Sequence, residues 1–259
     1  MCLIFISLHH HPNYKLIVAG NRDEFYDRPT AAADFWDDEP DILAGRDLEA
    51  GGTWLGVTRK GKVSMLTNYR DPKNIDPKAP SRGNLVSDFL KKPVTPENYL
   101  QQFEATGKDY NGFNLLVGSA DGLWYYSNYK SGIQKLTPGF YGISNKLLET
   151  PWPKVVRGKQ KLEPVLASPV IDTEDVFKAL YDDVEAPHEQ LPDTGLTPER
   201  ELALSPMFIK AENYGSRCST LILVDMTGQM TFSERVYNTT TFEHHTKTFL
   251  LTPSGEIVV

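Results

Sequence analysis

Residues 2–25 read CLIFISLHHHPNYKLIVAGNRDEF, and the two ends of this stretch obey different rules. Cys2–Leu8 and Lys15–Gly20 are β-branched and aromatic-rich runs separated by HHHPNY, the pattern of a hairpin. Each run is apolar on both faces, as in central strands covered on either side. A chain built around such a hairpin needs one layer above it and another below. At Gly20 the apolar run stops, and Asn21, Arg22, Asp23 and Glu24 follow with no spacer. If Leu8 pairs near Lys15, paired positions sum to about 23 and Cys2 lies opposite Asn21, within a slip of one or two residues. The charged cluster then surrounds Cys2.

Working outward, GGTWLGVT and KVSMLTNY read as a second hairpin around RKGK. NLVSDFLKK reads as a helix, and TPENYLQQFEAT as another, with Thr95 as cap and Pro96 in the first turn. GFNLLVGS, GLWYYSN and GIQKLTPGFYGISN make a meander broken by Asp-Gly and Ser-Gly turns. From Pro153 to about Leu204 the pattern turns helical, with a proline-rich loop inside it. STLILVDMTGQMTFSERVY is a hairpin, and TKTFLLTP and EIVV close the sheet. Strands at both ends with helices between them predict one α+β domain over residues 1–259. Helices do not alternate with strands and the dinucleotide fingerprint glycines are missing, so a Rossmann fold is excluded.

Lys plus Arg is 27 against 34 Asp plus Glu, a net charge of −7 with no basic block. That argues against nucleic acid and anionic membranes as partners. Two cysteines, Cys2 and Cys218, make no disulfide framework. With no signal-peptide pattern and no run approaching the roughly 18 apolar residues of a membrane span, the expected location is cytoplasmic.

Cys2 directly follows the initiator methionine, whose removal would leave a free N-terminal cysteine. Its thiol is then a nucleophile, and its α-amine, with an ordinary pKa of about 7.7–8.0, a general base. Arg22 would favour the thiolate, and Asp23 or Glu24 would hold the arginine or the ammonium. The competing reading is a polar strand exit beside an ordinary cysteine. His9, His10 and His11 sit in a hairpin loop with no partner at ligand spacing, and no metal site is expected. GRDLEAGGTW lacks the Lys-Ser/Thr ending of a phosphate loop. It reads as a tight turn, with Arg46 as a ligand contact or plain surface charge. Trp54, Trp124, Tyr125 and Tyr126 read as core or as the lining of an acyl pocket, and Cys218 as a buried small hydrophobe.

MCLIF, AGNRDEFYDRP, GGTWLGVT, LTNYRDP, GISN with TPWPKV, and YGSRCSTLILVD resemble the NRDE family, which includes the transport and Golgi organisation proteins. The resemblance runs from Met1 to about Tyr237. It implies an N-terminal nucleophile hydrolase fold, a four-layer αββα sandwich of two antiparallel sheets, similar to choloylglycine hydrolase and penicillin V acylase. It further implies a catalytic set of Cys2 as nucleophile, Arg22 and Asp23 after the second strand, with the acidic role falling to Asp23 or to Glu24, and Asn68 near an oxyanion hole. Asn145 would meet the amine end of the tetrahedral intermediate. Asn21, Glu24, Arg46, Trp54 and Arg217 complete the substrate-binding candidates, and no cofactor is implied. The expected partner is a small molecule, either a linear non-peptide amide that is cleaved or a hydrophobic ligand such as haem or acyl-CoA that is only carried.

Overall fold

The computed structural model describes residues 2–258. The opening hairpin is β1 (Cys2–Leu8) with β2 (Tyr14–Phe25). Leu8 pairs with Leu16 and Cys2 with Arg22, one residue beyond the expected register, within the slip allowed for it. β3 (Thr30–Phe35) and β4 (Ile42–Asp47) come next, then β5 (Leu55–Thr58) and β6 (Lys62–Asn68) around the RKGK turn. β3 and β4 are strands that sequence pattern left unassigned. β3 is short and interrupted by a register shift between Ala31 and Asp34, so it never shows a clean alternation. The expected tight turn narrows to the segment after Asp47, where Gly51 takes a left-handed φ of 77° that glycine adopts without strain.

Helices α1 (Gly83–Lys91) and α2 (Pro96–Thr106) follow, with the Thr95 hydroxyl accepting from the Asn98 N–H as the cap. β7 (Phe113–Ser119), β8 (Gly122–Ser127) and β9 (Lys130–Lys135) extend the meander. β10 (Gly139–Ile143) leaves it and pairs with β1 instead. The helical region contains α3 (Pro153–Leu166), α4 (Thr173–Leu180) and α5 (Pro198–Ala203). β11 (Lys210–Ala211), β12 (Tyr214–Asp225), β13 (Met230–Tyr237), β14 (His244–Leu251) and β15 (Ile257–Val258) end the chain.

Among the described residues two antiparallel sheets form. One has the order β10-β1-β2-β12-β13-β14-β15 with β11 on β12, the other β3-β4-β5-β6-β7-β8-β9. Strand alternation sorts the apolar side chains into layers. Ile4, Ile6, Val18 and Ile222 face the second sheet and meet Leu43, Val57, Met65 and Leu116. Leu3, Phe5, Ile17 and Ala19 face the other way and pack under Val155, Leu162, Val176 and Phe177 of α3 and α4. Phe113, Leu115 and Val117 meet Leu85, Phe89 and Leu100 of α1 and α2. This is the αββα sandwich. Each fully buried side chain of this size contributes roughly 1.5–3 kcal/mol. α3 sits so close to β1 that a Cβ on Gly158 would lie 2.0 Å from the Phe5 ring.

Candidate active site

Because both sheets are antiparallel, one end of the sandwich collects the start of β1 and β12 and the end of β2 and β13. The start of β3 and β5 and the end of β4 and β6 come from the other sheet. A cavity of about 700 Å³ opens there between the sheets, lined by Cys2, Arg22, Asp23, Glu24, Asn68 and Cys218 among others. The NRDE turn is thus the end of β2, and it belongs to the cavity wall.

Cys2, Arg22 and Cys218 stand in one row across three neighbouring strands, since Arg22 pairs with Cys2 on one side and Cys218 on the other. All three continue the rows of inward-facing apolar residues on β1, β2 and β12. Arg22 is 7% exposed, lies 3.6 Å from the Glu24 carboxylate and reaches the Thr30 hydroxyl at 3.5 Å. Its charge lowers the Cys2 pKa, but burial works harder in the other direction and the Asp23 carboxylate adds to it. The thiol is pushed up to about 11. The expected thiolate is therefore a thiol at neutral pH, because desolvation outweighs one neighbouring cation. Attack by Cys2 needs a base to take its proton. The removal of Met1, which would expose the α-amine for that task, concerns a residue outside those described.

Val236 follows Cys218 in the row, and two residues before it on β13 Glu234, paired with Thr220, is buried and lines the cavity, its Oε1 accepting from the Ala33 N–H at 2.6 Å. Burial raises its carboxyl above the usual range. Burial likewise raises Cys218 well above an ordinary thiol, with the Glu234 charge adding to it. Cys218 is packed in the core as expected, yet it also faces the cavity.

Asp23 takes the opposite face of β2. Its Oδ1 accepts from the Ser216 hydroxyl at 2.6 Å, and its main-chain carbonyl from the Tyr214 hydroxyl at 3.1 Å. Burial raises its carboxyl, and Lys154 in the first turn of α3 opposes that rise. Lys154 is 2% exposed and its Nζ has no hydrogen-bond partner among the described residues. Burial pushes it down to about 8, against the pull of Asp23. Arg70 and Glu201 join this buried group through an ion pair of 2.5 Å. Tyr214 and Arg70 also reach the cavity wall.

The two asparagines have different places. Asn68 ends β6 on the cavity wall, and its side-chain amide makes no hydrogen bond to the described residues. Asn145 is fully buried and its Nδ2 donates to the Asn68 carbonyl at 3.0 Å. Its own carbonyl accepts from the Arg70 N–H at 2.7 Å. Asn145 thus holds Asn68 and Arg70 in place, off the cavity wall, where contact with a leaving amine was expected. The adjacent Ser144 hydroxyl donates to the Cys2 carbonyl at 3.3 Å and clips the start of β1.

Of the expected substrate contacts, Glu24, Arg46, Trp54 and Arg217 line the cavity. Asn21 does not. It faces the helices, where its Nδ2 donates to the Leu180 and Met207 carbonyls at 3.0 and 2.8 Å and its Oδ1 accepts from Ser219. Arg46 is engaged bidentately by Asp38 at 2.6 and 2.7 Å and stacks 4.2 Å from the Trp36 ring. Among the described residues no cluster of His, Cys, Asp and Glu fits a metal ion.

Sequence reading passed over Glu234, Lys154, Arg70, Arg82 and Glu201. For Glu234 a signal exists, because it occupies the inward position in the alternation Met230, Phe232, Glu234, Val236. The others lie in loops or at helix starts, where no periodicity says which way a side chain points.

The sequence profile described as Transport and Golgi organisation 2 matches residues 1–239. The human Transport and Golgi organization protein 2 homolog is 41% identical over 256 residues, covering 91% of this chain and 92% of that one. The mouse protein of the same description is 40% identical with the same coverage. Among solved structures, the Caenorhabditis elegans ortholog of N-acylethanolamine-hydrolyzing acid amidase superposes with a TM-score of 0.50 at 11% identity. That match covers 86% of this chain and 92% of that one. The likeness is one of fold, and it agrees with the N-terminal nucleophile hydrolase architecture expected from the sequence.

Proposed function

Starting from the fact that the chain belongs to the Transport and Golgi organisation 2 family, we propose that it is an N-terminal-cysteine amidohydrolase acting on a small linear non-peptide amide. The observation that carries this reading is a thiol and an unengaged amide that line the same cavity from its two sheets: Cys2 begins β1 on one side, and on the other Asn68 ends β6 with a side chain that makes no bond to the described residues. In the reaction the Cys2 sulfur attacks the amide carbon while its proton passes to the α-amine freed by loss of Met1. The oxyanion accepts a hydrogen bond from Asn68, a contribution that typically changes kcat by about 10²–10³. The proton returns to the departing amine as the C–N bond breaks, and water then hydrolyses the thioester.

Asp23 and Arg22 set the field around the thiol, Glu24 pairs with Arg22, and the Ser216 and Tyr214 hydroxyls anchor Asp23 at the end of β2. Support for an amide substrate also comes from the fold shared with the nematode amidase, whose name records amide hydrolysis. The test is intact mass of untagged protein before and after a thiol electrophile, followed by turnover of an amide library, with Cys2→Ala beside the wild type. Loss of Met1, labelling at Cys2 and turnover that vanishes in Cys2→Ala support the reading. Retained Met1 with no turnover leaves the second reading, a carrier that keeps its ligand affinity in Cys2→Ala.

A further inference from the structure

Seven of the ten arginines of this chain line the cavity, and none of its seventeen lysines does. A wall chosen only for positive charge would use both. Arginine differs in offering a planar fork that binds carboxylate or phosphate through two parallel hydrogen bonds. Four of the seven are already paired with protein carboxylates: Arg22 with Glu24, Arg28 with Asp47, Arg46 with Asp38 and Arg70 with Glu201. Arg200 is exposed.

Arg82 and Arg217 are different. Both are half-buried, and neither has a carboxylate within ion-pair distance among the described residues. Arg82 donates one Nη1 bond to the Gly112 carbonyl at 2.9 Å. Arg217 donates from Nη1 to the Phe25 carbonyl at 2.9 Å and to the Arg28 carbonyl. Each guanidinium is therefore fixed by one nitrogen, while its Nε and Nη2 edge has no partner in the described protein. Burial lowers the pKa of both, with Glu24 opposing. A desolvated cation with half its donors idle is an unfavourable arrangement unless an anion completes it.

We propose that Arg82 and Arg217 form a subsite for an anionic group, a carboxylate or a phosphate, carried by the small molecule that occupies the cavity. This rests on reading the cavity as a substrate site. It adds that the substrate is charged, and it stands whether or not Cys2 turns that substrate over.

The test is isothermal titration of the full chain with N-hexanoylglycine, hexyl phosphate and neutral N-hexanoylethanolamine. One anionic probe binds at least about tenfold tighter than the neutral one, and which of the two does so tells carboxylate from phosphate. Arg82→Gln and Arg217→Gln each erase that preference, lowering affinity for the anionic probe at least about tenfold more than for the neutral one, and Arg82→Lys keeps only part of the preference because the fork is lost. Thermal melts of the variants verify folding. Equal affinity for neutral and anionic probes, binding of neither anionic probe, or a preference that survives the double variant overturns the subsite. Anion preference without amide turnover would retire the hydrolase and keep the subsite, and turnover of neutral amides without anion preference would do the reverse.

Discussion

At Cys2, burial and charge pull the proton in opposite directions. Burial wins, and the consequence is measurable in stability as well as reactivity. The folded thiol, at about 11, holds its proton to higher pH than an unfolded cysteine at 9.0. Between those values the folded chain binds more protons than the unfolded one, so this group's stabilisation is complete below pH 9 and is lost as pH rises through 11. A two-unit difference corresponds to about 2–3 kcal/mol. Melting temperature recorded from pH 8 to 11 should therefore fall less steeply in Cys2→Ala than in wild type. Lys154 moves the other way. Its folded value near 8 lies below the ordinary 10.5, so its burial penalty is present below pH 8 and relieved above it. Asp23 and Lys154 stabilise each other's charge, and removing either takes that stabilisation from the other. Asp23→Asn and Lys154→Met should each cost about 3 kcal/mol, with the double variant less damaging than the sum, a coupling read by a denaturant double-mutant cycle.

At the scale of elements, how well a strand could be read depended on whether its pattern was local. The hairpins of β1–β2, β5–β6 and β12–β13 carry their turns and apolar runs in adjacent sequence, and all three form as read. β10 could not be assigned to its sheet from GFYGI alone, because pairing with β1 is set by packing against a segment more than 130 residues away. The site divides the same way. Cys2, Arg22 and Asp23 follow from strand geometry, whereas Asn145 takes its role from a hydrogen bond to the end of β6. Asn145→Ala frees that carbonyl and leaves the Ser144 hydroxyl without one acceptor. It should lower stability by about 1–3 kcal/mol and depress kcat more than it raises KM, since Asn68 loses its support. On α3, Gly158→Ala tests the closeness of the layers. Alanine favours a helix by up to about 1 kcal/mol, yet a Cβ at 2.0 Å from Phe5 forces α3 off β1. The net effect expected in chemical denaturation is a loss of 1–3 kcal/mol.

For the whole molecule, the decisive fact is that the cavity borrows its walls from both sheets. Neither sheet alone contains Cys2 together with Asn68. A molecule bound between them ties together the two largest elements, and its binding energy is added to the global unfolding free energy. Ligand at about 100 times its Kd should stabilise the protein by about 2.7 kcal/mol. For a chain of this size that means a rise of roughly 5–10 °C in Tm, so differential scanning against small anionic amides is a direct screen. No helix among the described residues is long and apolar enough to cross a membrane.

The row Cys2, Arg22, Cys218 has an outcome for the protein's life in air. Two strand spacings put the cysteine backbones roughly 9.5 Å apart, beyond the ~7 Å that a disulfide tolerates. The arginine between them is a spacer that keeps two thiols of one cavity from ever cross-linking. An oxidised Cys2 has no internal neighbour to resolve it, so its recovery depends on a small reductant arriving through the cavity mouth.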